Sequence, residues 1–422
     1  HIALTPTWNE TAFFADYVLP MGHASERHDV NSYATSSGKW VAFRQPVLRE
    51  YARREGKEVE FTHEVNPGEV WEEDEFWNEL SWRIDDGTMG IREHFMSPYR
   101  EGERITIDEY YQYMFERIPG LPEAAEAEGT DPLGYMRKHG AFLIEEATYN
   151  KHEEDGWPTP SGKQEIYSNS MVEFGYPEHS IPHYRVMSHV HPDNLQGEDE
   201  YCLLPNFRLP QHIHSRSANA KWLAEIAHRN PLWVHPNDAA KLGVGEGDLL
   251  KVETEIGWFI DKVWVTEGIK PGIIGCSHHI GRWRRKQDSG NRYMTNEVEI
   301  EDLGEGRMRM RTVEGVRPWE SDDPDTNRVW WRDGGVHQNI THAVQPDPIS
   351  GAHCWLQKVR ISKPVEGERY GDVEVDTNKS FEYYKKWNEM AKEREVHPRG
   401  ERRPLWMKRP LPPRKEHWFI GE

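Results

Sequence analysis

The sequence predicts an α/β segment that leads into a compact β-barrel. Three observations predict it. The first twenty residues alternate strand-like and helix-like stretches. Residues 71 to 155 carry helical spacing interrupted by loops. From about 198 to 363, short strands with period-2 alternation are mixed with small helices, and no repeat of fixed length is present.

The elements follow in order. In HIALTPTWNETAFFADYVLP, Ile2 and Leu4 mark the end of a strand, and Asn9 to Tyr17 predicts a short helix with Asn9 as its N-cap. Val18-Leu19-Pro20 predicts a short buried strand closed by proline. A strand at residue 1 is expected to be the edge of a sheet whose remainder lies upstream. Residues 51 to 75 are charged and loop-like. Between Trp71 and Ile84, the spacing of Phe76, Trp77, Leu80 and Ile84 predicts a helix. Short helices and loops follow to residue 155, one of them in DEYYQYMFERI. GWPTPSGKQEIYS (Gly156 to Ser168) predicts a turn feeding a strand.

Beyond residue 197, EYCLLPNF predicts a strand, SANAKWLAEIAHR an amphipathic helix and PLWVHP a strand. PNDAAKLGV predicts a short helix with Gly243 just past its C-terminus. GDLLKVETEIGWFIDKVWVTEG predicts two strands joined at Gly257, alternating on Leu250, Val252, Val263 and Val265. The expected division is therefore residues 1–197 as α/β, 198–363 as barrel and 364–422 as an extended tail. From Lys379 to Glu422 the tail has 12 Lys/Arg against 7 Asp/Glu, and Pro398, Pro404, Pro410, Pro412 and Pro413 oppose long helices. Trp406, Trp418 and Phe419 are candidate anchors for wrapping a partner.

Composition excludes several functions. Across 422 residues, 52 Lys+Arg face 72 Asp+Glu, a net charge of −20, which is the wrong sign for general nucleic-acid binding. No apolar run approaches the roughly 18 residues of a membrane span. Cys202, Cys276 and Cys354 are too few and too scattered for a cubane iron–sulfur cluster or a disulfide framework. Neither H-E-x-x-H nor paired cysteines occur, so no metal site within the chain is expected. G-x-S-x-G is absent, and TPSGK lacks the phosphate-loop spacing. Gly243, Gly245 and Gly247 follow a helix and predict turn chemistry rather than a dinucleotide fingerprint.

What remains is donor density in three loops. Asn206 to Asn219 carries Arg208, His212, His214, Ser215, Arg216, Ser217 and Asn219, in a strand-to-helix connection suited to an anionic, heteroatom-rich ligand. Gly334 to His342 and Ser277 to Trp283 are the other two. Three such loops around one barrel predict an extended polar cofactor.

The ordered set of landmarks resembles the C-terminal half of the catalytic subunit of the molybdopterin oxidoreductases of the dimethyl sulfoxide reductase family. ETAFFADYVLP followed by Glu26, WPTPSGKQEIYS, Asn206 to Asn219, LWVHPNDAAKLGVGEGDLLKVETEIG, KPGII…HHIGRW and NITHAVQPDPISG…KVRI occur in family order, covering roughly residues 1–48 and 155–363. The resemblance implies remnants of Rossmann-like molybdopterin domains followed by a double-psi-type β-barrel that caps a bis-(molybdopterin guanine dinucleotide) cofactor with Mo or W. It assigns cofactor contacts to Arg208, His212, His214, Ser215, Arg216, Ser217, Asn219, His279, Gln338 and Asn339. Cys354-Trp355 stands where the family has a Tyr-Lys pair. The Mo ligand and the cysteines of a [4Fe-4S] cluster are implied upstream, in an N-terminal half of the same subunit.

The H-x-x-x-R-[ST]-x-N pattern is nearest to the polysulfide and thiosulfate reductase branch. It implies two-electron redox or oxygen/sulfur-atom transfer on a small inorganic sulfur compound or oxyanion. The implied partners are a ferredoxin-like iron–sulfur electron-transfer subunit and a membrane anchor, at the extracytoplasmic face of a membrane. The alternatives are a non-catalytic scaffold of this fold in an electron-transfer complex, a formate dehydrogenase-like enzyme, and a stand-alone ligand-binding barrel.

Overall fold

A computed structural model describes residues 1–33, 38–146, 150–159, 161–169, 180–182, 190, 192–205, 209–285, 295–315, 324, 332–343, 355–389, 391–392 and 403–404. The chain divides into two compact units, His1–Asp155 and Gly156–Glu422.

In the first unit, strands β1 (Ile2–Thr5) and β2 (Tyr17–Pro20) pair in parallel. The connection between them is a single 3-10 turn, Ala12–Phe14, shorter than the expected helix. Asn9 does act at its start: its Oδ1 accepts from the Ala12 N–H at 2.9 Å. Strands β3 (Asp29–Tyr33), β4 (Gly38–Arg44) and β5 (Ala141–Glu146) form an antiparallel sheet. Five helices separate β4 from β5: α1 (Val47–Arg54), α2 (Glu73–Ile84), α3 (Ile107–Phe115), α4 (Leu121–Ala127) and α5 (Pro132–His139). Helix α2 lies where the Phe76 to Ile84 spacing predicts it. Helix α3 opens on a capping box: Thr106 Oγ1 accepts from the Glu109 N–H, and Glu109 accepts from the Thr106 N–H at 2.9 Å. Its Ile107, Tyr111 and Phe115 recur every four residues and enter a core with Val41, Phe43, Leu121, Leu133 and Met136.

The second unit is built on a closed barrel. Strands β6 (Glu200–Leu204), β7 (Leu232–Val234), β8 (Leu249–Glu253), β9 (Gly257–Val265), β10 (Ile273–Gly275) and β14 (Gln357–Ser362) pair in the cyclic order β9-β7-β10-β6-β14-β8 and back to β9. The β7–β9 and β10–β6 pairs are parallel and the other four antiparallel. This is the mixed closed sheet of a double-psi-type barrel, with no strand edge left open in the ring. Leu203, Leu232, Val234, Leu250, Val252, Phe259, Val263 and Ile274 fill it. The alternation on Leu250, Val252 and Val263 is thus the inward face; Val265 is half-buried at the end of β9. A helix, Pro236–Leu242, ends on Gly243 at φ 65°, as its sequence predicts.

Four expectations are corrected. Gly156–Ser168 folds back by turns, with the Trp157 N–H donating to Gly162, and contains no strand among its described residues. The stretch from Ser217 to Arg229 is not one helix: His214–Ala218 and Lys221–Ile226 are separate short helices. The sheet does not stop at residue 363, because β15 (Val373–Asp376) adds to the edge of β9, followed outward by β13 (Arg307–Glu314), β12 (Asn296–Gly304) and β11 (Trp283–Arg285). Finally, Thr377–Glu389 is a helix rather than an extended tail, since no proline falls between Pro364 and Pro398. Trp406, Trp418 and Phe419 lie outside the described residues. No helix among the described residues is long and apolar enough to cross a membrane.

Candidate functional site

Strand β10 ends at Gly275, and the chain turns into Cys276-Ser277-His278-His279 at the barrel rim. Burial favours partnered polar groups here, and several of the partners come from the other two donor loops. His279 Nδ1 donates to the His212 carbonyl. Gln338 Nε2 donates to the Cys276 carbonyl at 2.8 Å, and Asn339 Nδ2 to the His278 carbonyl at 3.4 Å. His278 Nδ1 donates to the Pro205 carbonyl at 2.8 Å, and Trp355 stacks on its ring at 5.5 Å. The three loops singled out in the sequence are therefore brought together.

Two asparagines that carry no sequence signal hold this arrangement. Asn230 is 1% exposed. Its Nδ2 donates to the carbonyls of Ser277 (2.7 Å) and Val336 (2.9 Å), and its Oδ1 accepts from the Val336 N–H at 2.8 Å. Asn296 does the same for Gly334 and Gly335, each at 2.8 Å. Close approach is possible only because two residues lack a side chain. A Cβ on Gly281, whose φ is +90°, would lie 2.3 Å from the Val336 carbonyl carbon, and one on Gly335 would lie 2.4 Å from Asn230 Oδ1. Gly281→Ala is expected to destabilise the chain by about 2 kcal/mol, through left-handed backbone and overpacking together, read as a lower urea midpoint.

The expected site residues fare differently. His212 is buried, and its Nε2 donates to the Ala227 carbonyl at 2.6 Å. Burial holds its pKa below the ordinary value, so the ring is neutral and Nδ1 is an acceptor. His214 sits at φ 49°, a left-handed conformation, and stacks on His279 at 4.8 Å. Ser217 Oγ accepts from the Ile213 N–H, a local turn contact. Asn219 Oδ1 accepts from Arg282 at 3.2 Å. Arg208 lies outside the described residues, as do the side chains of Ser215 and Arg216. Trp355, His278, Asn230 and Asn296 were not among the expected contacts. Of these, only the adjacent pair His278-His279 was visible as a motif.

Among the described residues, the rim leaves buried polar atoms without a hydrogen-bond partner: His212 Nδ1, His279 Nε2, Gln338 Oε1 and Asn339 Oδ1. All four belong to the three loops. Buried acceptors left bare cost on the order of 1–3 kcal/mol each, and a ligand with N–H donors removes that cost. No protein metal site was expected from spacing, yet the fold also gathers His214, His278 and His279 within 4.8 Å of one another.

The family model described as "Molydopterin dinucleotide binding domain" matches residues 203–303, which run from the end of β6 into β12 and include His279. The trimethylamine-N-oxide reductase of Pasteurella multocida is 24% identical over 305 residues, covering 67% of this chain and 32% of the relative. The molybdopterin-containing subunit of the arsenate respiratory reductase of Chrysiogenes arsenatis is 22% identical over 354 residues, covering 75% of this chain and 39% of the relative. The chain thus spans about a third of the length of these relatives. Among solved structures, acetylene hydratase from Pelobacter acetylenicus has the same fold, with TM-score 0.52 and 22% identity over 86% of this chain and 40% of that one. Residues 203–303, on the barrel that carries the three loops, thus match a molybdopterin dinucleotide-binding domain, and the chain is similar to about a third of the length of these reductases.

Proposed function

We propose that this chain forms part of the catalytic subunit of a molybdenum or tungsten oxidoreductase and lines one side of a bis-(molybdopterin guanine dinucleotide) cofactor. The observation that carries this is the set of buried, unpartnered acceptors on three converging loops. They fit the group chemically: pterin and guanine rings present N–H donors, which Gln338 Oε1, Asn339 Oδ1 and His279 Nε2 accept. His214 and His212 flank them. The guanidiniums of Arg208 and Arg216 supply charge for the pyrophosphates. Asn230 and Asn296 keep the loops closed, so the acceptors are positioned before the cofactor arrives. When bound, the metal centre supplies two-electron redox with oxygen- or sulfur-atom transfer.

The reading favours a small inorganic sulfur compound or oxyanion as substrate, from the H-x-x-x-R-[ST]-x-N pattern and the arsenate reductase relative. The trimethylamine-N-oxide reductase relatives support a second reading, an organic N-oxide. The remaining half of the subunit, with a [4Fe-4S] cluster, a ferredoxin-like electron-transfer subunit and a membrane anchor complete the proposed assembly. Metal analysis of the purified complex, with assay of extracted pterin, tests the proposal. Mo or W together with pterin dinucleotide is expected. Absence of both metals overturns the enzyme reading and leaves the scaffold alternative.

A further inference from the structure

We propose that His214, His278 and His279 form a binding site for a divalent first-row transition metal of the zinc class, open in the chain when the pterin cofactor is not seated.

One ring nitrogen from each histidine lies within 4.8 Å of the other two. Two of the rings are backed in the way metal ligands are. His278 Nδ1 donates to the Pro205 carbonyl and His279 Nδ1 to the His212 carbonyl, the kind of backing that fixes the tautomer and orientation of a metal-bound imidazole. His279 Nε2 is buried, in a residue 1% exposed, and has no hydrogen-bond partner among the described residues. A buried imidazole acceptor with its tautomer already set is a donor atom awaiting a proton or a cation.

The third ligand carries a separate mark. His214 and Glu305 are the non-glycine residues with positive φ among those described. Glu305 sits in a hairpin turn between two glycines; His214 opens a helix. Its left-handed backbone brings the ring to 4.8 Å from His279 and 5.0 Å from His278. Such strain is kept where the surroundings hold a side chain in place. Tetrahedral imidazole sites with Zn–N of about 2.0–2.1 Å place their nitrogens about 3.4 Å apart. The rings must therefore close by about 1.4 Å from their widest separation. His214 is exposed, whereas His278 and His279 are buried. Trp355 against His278 supplies an apolar wall. Three imidazole ligands suit zinc, copper or nickel better than magnesium or calcium. Spacing rules miss this trio because the ligands come from two loops far apart in sequence.

The site shares His214 and His279 with the cofactor reading, so the chain without pterin is the species that binds the metal. The test uses the purified protein made in a host unable to synthesise molybdopterin and stripped with chelator. Zn²⁺ is then titrated in competition with a chromophoric chelator. Stoichiometric binding with micromolar or tighter affinity is expected, with nitrogen ligands in the zinc X-ray absorption spectrum. His214→Asn tolerates the left-handed backbone and is expected to weaken binding about tenfold or more, as is His278→Gln. If His278→Gln fails to fold, His214→Asn decides alone. Absence of stoichiometric binding, or unchanged affinity in the folded variants, overturns the proposal. Either result leaves the Mo and pterin assay of the loaded complex to judge the cofactor reading separately.

Discussion

Replacing Asn230 with alanine is expected to destabilise the barrel unit by on the order of 4 kcal/mol and to loosen cofactor retention in the loaded enzyme. The side chain makes three hydrogen bonds of 2.7–2.9 Å that join the segment after the Lys221–Ile226 helix to both the Ser277 and Val336 loops. Alanine removes all three and leaves two carbonyls and one N–H without these partners at a buried position. A urea midpoint with unchanged slope, together with pterin content after dialysis, measures both effects. Cofactor retention unchanged despite the lost stability would show that the loops are held by other contacts.

The second large effect concerns the first unit. Glu75 and Glu72 are both buried, on the first turn of α2 and just before it. Glu72 accepts from His28 Nδ1 at 2.8 Å and from Thr62 Oγ1 at 2.6 Å. Glu75 Oε1 accepts from the Thr62 N–H at 2.6 Å and from Arg49 at 3.4 Å, while its Oε2 has no hydrogen-bond partner among the described residues and lies 3.7 Å from His63 Nδ1. Arg49 is shared with Asp108 at 3.3 Å, so the one guanidinium does not fully neutralise the carboxylates around it. Burial first, then the neighbouring Glu72, push Glu75 from 4.5 up to about 7.

The folded state therefore binds this proton more tightly than the unfolded chain. The stabilisation it brings is complete below about pH 4.5 and is lost as pH rises to about 7, a fall on the order of 3 kcal/mol. Glu75→Gln keeps the Oε1 acceptor and removes the titration. The variant should be more stable than the parent at pH 8, and its stability should be flatter between pH 4.5 and 7. Urea melts at pH 5 and pH 8 check this; an unchanged pH slope in the variant refutes it.

The contrast between these two networks shows what sequence made legible. Leu250, Val252 and Val263 disclosed the inward face of β8 and β9, because an alternating pattern needs only neighbours a few residues away. Gly243 disclosed a helix end for the same local reason. Histidine and amide density disclosed three loops that belong together. The Asn296–Glu314 hairpin carries the same kind of alternation, with Val298, Ile300, Met308 and Met310 between charged residues, but was not among the predicted strands; in the fold β13 pairs with both β12 and β15. The tail assignment failed similarly, since β15 is specified by β9 and β13 and not by its own four residues.

By itself, then, the sequence determined the barrel class, the strands with local alternation, and an ordered set of motifs that resembles the molybdopterin oxidoreductases. Only the tertiary structure decided that Asn230 and Asn296 clamp the site, that His278 and Trp355 belong to it, and that His214, His278 and His279 meet. The physical reason is range. Periodicity and capping act over a few residues along the chain. A buried amide or a cluster of imidazoles is defined by partners tens of residues away, and only closure of the sheet brings those together.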